Sequence, residues 1–198
     1  MVMWNAPREC PEHAIHACRA ALACIEETEA LFASRDWPMP PLRTRFGLHR
    51  EEVLVGNFGA PDRMNFTAIG DGVNLASRLE GLNKFYGTRV LASESIYEEA
   101  KSGFEFRLLD RAAVKGKVRP LSIYELLGPL GSSERVATAR QYEAALAAYF
   151  SRDFSRALEI LREQQSDPPS LFLARRCEDY VANPPPRDWD GTFIVPAK

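Results

Sequence analysis

Residues 64–80, MNFTAIGDGVNLASRLE, decide how the chain is read. Leu75, Leu79 and Leu82 recur at helical spacing, so the segment beyond Gly72 is expected to be a helix with one apolar face. Asn74 and Arg78, four residues apart, leave that helix in the same direction one turn apart. An Asn amide can orient a hydroxyl or a ring oxygen, and the Arg fork of donors matches phosphate oxygens, so the pair suits phosphate chemistry. Spacing alone leaves a second reading open, in which Arg78 and Glu80 are solvated helix charges and Asn74 is a neutral neighbour. Upstream, the short and partly β-branched run 65–69 reads as a strand that enters the helix through Gly70-Asp71-Gly72, with Asp71 as the cap.

Working outward, residues 42–49 alternate Leu42, Thr44, Phe46 and Leu48 against Arg43, Arg45, Gly47 and His49, the pattern of a strand with one buried face. Residues 53–57 are its expected antiparallel partner, through the short connection Arg50-Glu51-Glu52. Ahead of it, Ala14, Ala17, Ala21, Ile25 and Leu31 make a long amphipathic helix over 12–32, stopped by Pro38, Pro40 and Pro41, and residues 1–4 read as the end of a strand. On the other side the central helix ends at Gly87, residues 88–92 form a buried strand, and Ser93 caps a short helix to Lys101. Residues 104–108 return as a strand, and Val114-Lys115-Gly116-Lys117 opens a hairpin to 121–126. The alternation is that of an α/β (α+β) domain. By themselves Lys115 and Lys117 read as solvated turn charges.

A chain of 198 residues with 45% apolar content is long enough for one domain plus an appendage. The net charge of -2 gives neither a nucleic-acid footprint nor a polybasic membrane patch. Cys10, Cys18, Cys24 and Cys177 lack CxxC spacing and are expected to be free thiols in a reducing compartment. His13 and His16 have no third ligand near them in sequence, so they are read as a solvated pair and no metal site is assigned. No run approaches the roughly 20 apolar residues that cross a bilayer, and no secretory signal opens the chain, so it is expected to be cytoplasmic.

A linker is expected at 129–133, in the run Gly128-Pro129-Leu130-Gly131-Ser132-Ser133. Beyond it, over 134–183, Tyr142, Ala145, Leu146, Tyr149, then Phe154, Ala157, Leu158, then Leu171, Leu173, Tyr180 make helical stripes. The pattern is similar to a single tetratricopeptide-type helical hairpin with one further helix, expected to pack on the preceding domain or on a partner. Residues 184–198 are a Pro-rich tail that ends in a short strand at 193–195.

GNFG at 56–59, NFTAIGDGVNLASRLEGLN at 65–83 and VKGK at 114–117 resemble the C-terminal portion of class III adenylate/guanylate cyclase catalytic domains of bacterial type, over residues 1–128. The resemblance implies a ferredoxin-like cyclase fold lacking its first strands, a dimer, and conversion of ATP to cyclic AMP and pyrophosphate. It implies that Asn74 positions the ribose, Arg78 stabilises the pentavalent phosphorus transition state, Thr67 selects the purine and favours ATP, and Lys115 contacts the triphosphate. It also implies Mg²⁺ or Mn²⁺, held by two Asp residues that in the family lie upstream of the segment matching Trp4-Asn5-Ala6-Pro7; no Asp here matches them. The chain is therefore expected to make little cyclic AMP alone. Alternatives are a complementing or regulatory partner of a full-length cyclase, or a protein-binding helical module on a cyclase remnant. At Arg50-Glu51-Glu52 the chain departs from the family's usual Thr-Gly.

Overall fold

The computed structural model describes residues 1–113 and 120–194. The expected hairpin at Val114-Lys115-Gly116-Lys117 and the strand end at Val195 lie outside the described residues. In chain order the elements are α1 (His13–Ala33), β1 (Phe46–Leu48), β2 (Leu54–Ala60), β3 (Arg63–Ile69), α2 (Asp71–Tyr86), β4 (Val90–Ser93) and α3 (Glu94–Ala100). There follow β5 (Phe104–Ala113), β6 (Leu121–Pro129), α4 (Val136–Phe150), α5 (Phe154–Leu161), α6 (Pro168–Ala182) and β7 (Phe193–Ile194).

Five strands make a mixed sheet in the order β1-β4-β6-β5-β7, while β2 and β3 pair only with each other. Helices cover both faces of the sheet, and period-two alternation sorts the strand side chains between them. In β4, Val90 and Ala92 join Ala14, Ala17, Cys18 and Ala21 of α1 and Ile96 of α3 on one face. Leu91 turns the other way, to Leu75, Leu79 and Leu82 of α2 and to the buried stripes of α4, α5 and α6. Every residue of β4 is buried, as expected for a strand with helices on both sides.

Several local expectations are corrected. The strand expected over 42–49 is only Phe46–Leu48, and its partner is β4, in parallel, not residues 53–57. Residues 54–57 belong instead to β2, which pairs antiparallel with β3 through the tight turn at Pro61-Asp62, with Ala60 opposite Arg63. A two-residue loop is the favoured hairpin connection, and here it joins β2 to β3 over seven paired positions. Residues 1–4 are not a strand; Trp4 instead packs against the α1 cluster. Gly70 is the N-cap of α2 and Asp71 its first residue, where the acid faces the positive end of the helix dipole. Ser93 is the N-cap of α3 but makes no capping bond, because its hydroxyl lies 2.9 Å from His49 Nδ1 and 3.0 Å from Ser95 Oγ.

The three C-terminal helices occupy the stretches expected for them, and their apolar faces close on the domain. Tyr142, Leu146 and Tyr149 of α4, Phe154 and Leu161 of α5 and Leu173 and Cys177 of α6 belong to one cluster with α2 and β5. The tail then returns across them: Arg152 donates to the carbonyls of Pro186 (2.7 Å) and Pro185 (2.6 Å), Trp189 packs edge-on among Tyr149, Phe154 and Tyr180, and β7 adds in parallel to the end of β5.

Candidate functional site

Helix α2 is set against the sheet by close approach. A Cβ on Gly47 would lie 2.1 Å from the Ala76 carbonyl oxygen, so only glycine lets β1 run this near the helix. The buried Asn83 amide donates to the Phe46 carbonyl (3.0 Å) and accepts from the Thr88 hydroxyl (2.8 Å), and Arg45 pairs with Glu80 at 3.0 Å. At its C-terminus Gly87 takes the left-handed conformation (φ 69°) and its N–H closes on the Asn83 carbonyl.

The faces of α2 divide its labour. Leu75, Leu79, Leu82 and Tyr86 are buried against the sheet and α6. Gly72, Val73 and Ala76 line a groove of about 670 Å³ that also takes in Gly47, Leu48 and His49 of the β1 region and Val55 and Ala68 of the ribbon. Asn74 and Arg78 emerge on the remaining, exposed face, one turn apart as the spacing required. Thr67 is half-buried in β3 opposite Gly56, on the ribbon face away from Ala68 and the groove. This groove and the three candidate side chains therefore belong to different surfaces, and the candidate chemistry is presented outward. Lys115 lies outside the described residues.

At the groove edge His49 lies between Ser93 Oγ (2.9 Å) and Glu51 Oε2 (3.2 Å). With only 1% of its surface exposed, Ser93 cannot meet a substrate, so the trio reads as a brace between the β1–β2 connection and α3. Among the described residues no three His, Cys, Asp or Glu side chains are grouped to hold a metal ion. They do not by themselves form the ion site that the resemblance implies.

Residues 1–128 match the family described as the adenylate and guanylate cyclase catalytic domain. The chain belongs to that family. The cyclase domain is 50% identical over 127 residues to adenylate cyclase 1 of Rhizobium meliloti (strain 1021), covering 64% of this chain and 19% of that protein. It is 36% identical over 121 residues to an adenylate cyclase of Anabaena cylindrica, covering 60% of this chain and 24% of the relative. The crystal structure of the adenylyl cyclase CyaB from P. aeruginosa superposes with a TM-score of 0.54 at 31% identity, covering 61% of this chain and 63% of that one. The chain thus spans about a fifth to a quarter of the length of the curated relatives it matches. Its mixed α/β fold is that of the cyclase domain. No helix among the described residues is long and apolar enough to cross a membrane.

Sequence reasoning missed the buried polar side chains behind α2, namely Arg107, Asp110, Glu125 and Arg176. A charge inside an otherwise apolar strand, as Asp110 stands after Leu108-Leu109, was the signal available.

Proposed function

We propose that the chain is one half of an adenylate cyclase active centre, which it completes with a second cyclase protomer that holds the Mg²⁺ or Mn²⁺. Attack of the ribose 3′-hydroxyl on the α-phosphorus of ATP forms the new O–P bond, and the hydroxyl proton is released to water. The bond to the bridging oxygen breaks, pyrophosphate leaves, and cyclic AMP remains. Asn74 orients the ribose, and the Arg78 guanidinium neutralises charge growing on the α-phosphate oxygens, where a preset cation lowers the barrier most. Thr67 accepts from the adenine amino group, and Lys115 gives a point charge to the triphosphate.

The observation that carries this reading is the outward presentation of Asn74 and Arg78 on one exposed turn of α2, in a chain of the cyclase family. Side chains that emerge on an exposed helix face suit a substrate brought by another protomer. The alternative in which the helices are a free-standing binding module has less support, since their apolar faces are buried with α2.

The test mixes the purified chain with a full cyclase inactivated at its own Asn and Arg, and measures cyclic AMP from ATP. The expected result is rescue by the mixture, little product from either protein alone with Mg²⁺ or Mn²⁺, and loss of rescue with Asn74→Ala or Arg78→Ala. No rescue by the unmodified chain would overturn the reading.

A further inference from the structure

The far end of α2 is tied to a buried polar cluster that the proposed reaction does not use. The Tyr86 hydroxyl donates to Asp110 Oδ2 of β5 at 2.9 Å. Arg176 of α6 pairs with that same oxygen and donates to the Tyr149 hydroxyl of α4 at 2.5 Å. The other Asp110 oxygen accepts from the Arg111 N–H at 2.9 Å. Tyr86, Asp110 and Tyr149 are fully buried and Arg176 is 9% exposed. The Arg176 guanidinium also lies 4.7 Å from the Tyr149 ring centre and 4.4 Å from that of Phe193. Burial works against its charge, but the Asp110 carboxylate more than offsets this and holds it firmly protonated.

One carboxylate therefore joins α2, the sheet and two C-terminal helices. A buried polar cluster of this kind contributes little net stability, but a displacement that breaks its bonds leaves a buried charge or hydroxyl unpaired, so it favours the observed geometry. We propose that the buried Asp110–Arg176 pair, where β5 meets α6, is a positioning device for the cyclase site. Arg176 and Asp110 fix Tyr86, and Tyr86 fixes the tilt of α2 that sets where Asn74 and Arg78 reach. This inference rests on the reading of Asn74 and Arg78 given above.

The lever is long enough to matter. Asn74 lies twelve residues from Tyr86, about 18 Å along the helix, so a tilt of about 5° moves it by roughly 1.5 Å. Displacements of about 1 Å in positioned groups can cost on the order of a hundredfold in rate.

Two matched deletions test the proposal. Tyr86→Phe removes the one hydroxyl that α2 gives to the cluster and leaves the Asp110–Arg176 pair intact. Tyr142→Phe removes an equally buried hydroxyl, which donates to the Leu109 carbonyl at 2.7 Å, on α4. In hydrogen exchange, amides of 74–78 are expected to exchange about tenfold faster in Tyr86→Phe and within about twofold of the unmodified chain in Tyr142→Phe. In the mixed cyclase assay, Tyr86→Phe is expected to lower turnover about tenfold at unchanged KM for ATP, with Tyr142→Phe unaffected. Equal effects of the two variants, or unchanged exchange in Tyr86→Phe, would overturn the proposal. If the unmodified chain gives no rescue, the reading of Asn74 and Arg78 falls, while the exchange comparison still decides whether Tyr86 holds α2.

Discussion

Replacing Arg107 by Met tests how the helices are joined to the sheet. Arg107 is 1% exposed in β5; its Nε donates to Glu125 Oε2 at 3.0 Å and its Nη1 to Asp167 Oδ2 at 2.8 Å. Asp167 in turn caps α6, accepting from the Ser170 N–H at 3.1 Å. Methionine restores most of the apolar volume but strands two carboxylates that are 2% and 7% exposed. Removing one partner of such a buried pair costs about 3–5 kcal/mol. The lower end applies, because Arg135, with 48% of its side chain exposed, already reaches Glu125 at 2.8 Å and lies 3.8 Å from Asp167. A loss of about 3 kcal/mol corresponds to a fall of roughly 6–12 °C in Tm for a domain of this size. Urea unfolding followed by circular dichroism measures it, provided the slope m is unchanged. Arg156→Ala, which breaks only an exposed 2.9 Å pair with Glu159, is the control and should cost no more than about 0.5 kcal/mol. A loss below about 1 kcal/mol in Arg107→Met would refute the reasoning, since it would mean that neither carboxylate depends on this guanidinium.

Further outcomes follow from the same geometry. Burial alone would raise the Asp167 carboxyl, but the bond from Arg107 and its charge hold it below the ordinary 3.8. Its contribution is thus complete above that value and disappears as pH falls through the lowered folded-state pKa; acid titration should show the unmodified chain losing stability there and Asp167→Asn losing less. Gly87→Ala should cost about 2 kcal/mol or more in urea unfolding, because φ is 69° and the new Cβ would lie 2.5 Å from Pro168 Cβ. Burial pushes the Cys18 and Cys177 thiols up to about 12, so a thiol reagent at about pH 8 should label Cys10 and Cys24 first; four equal rates would contradict this. Arg152→Ala removes both bonds to the Pro185 and Pro186 carbonyls and should speed tryptic cleavage after Arg187 about fivefold, an unchanged rate counting against the strap.

The sequence by itself determined the elements that depend on neighbours in the chain. Helical spacing of Leu75, Leu79 and Leu82, the stop at Gly87 and the outward pairing of Asn74 with Arg78 follow from the 3.6-residue period, and each is present. The motif around them carried the family, and residues 1–128 match it. Strand partners were not legible, because pairing depends on which strands the fold brings side by side; β1 thus joins β4 across an intervening ribbon and helix. Only the tertiary structure decided where Asp110 points. The register shift between Leu108 and Asp110 leaves Leu109 without a cross-strand partner, so strict alternation breaks and both Leu109 and Asp110 turn to the helical layer. That extra residue brings a carboxylate to Tyr86 and Arg176, and no local pattern in the chain encodes it, since a bulge is fixed by the strand and helices packed around it.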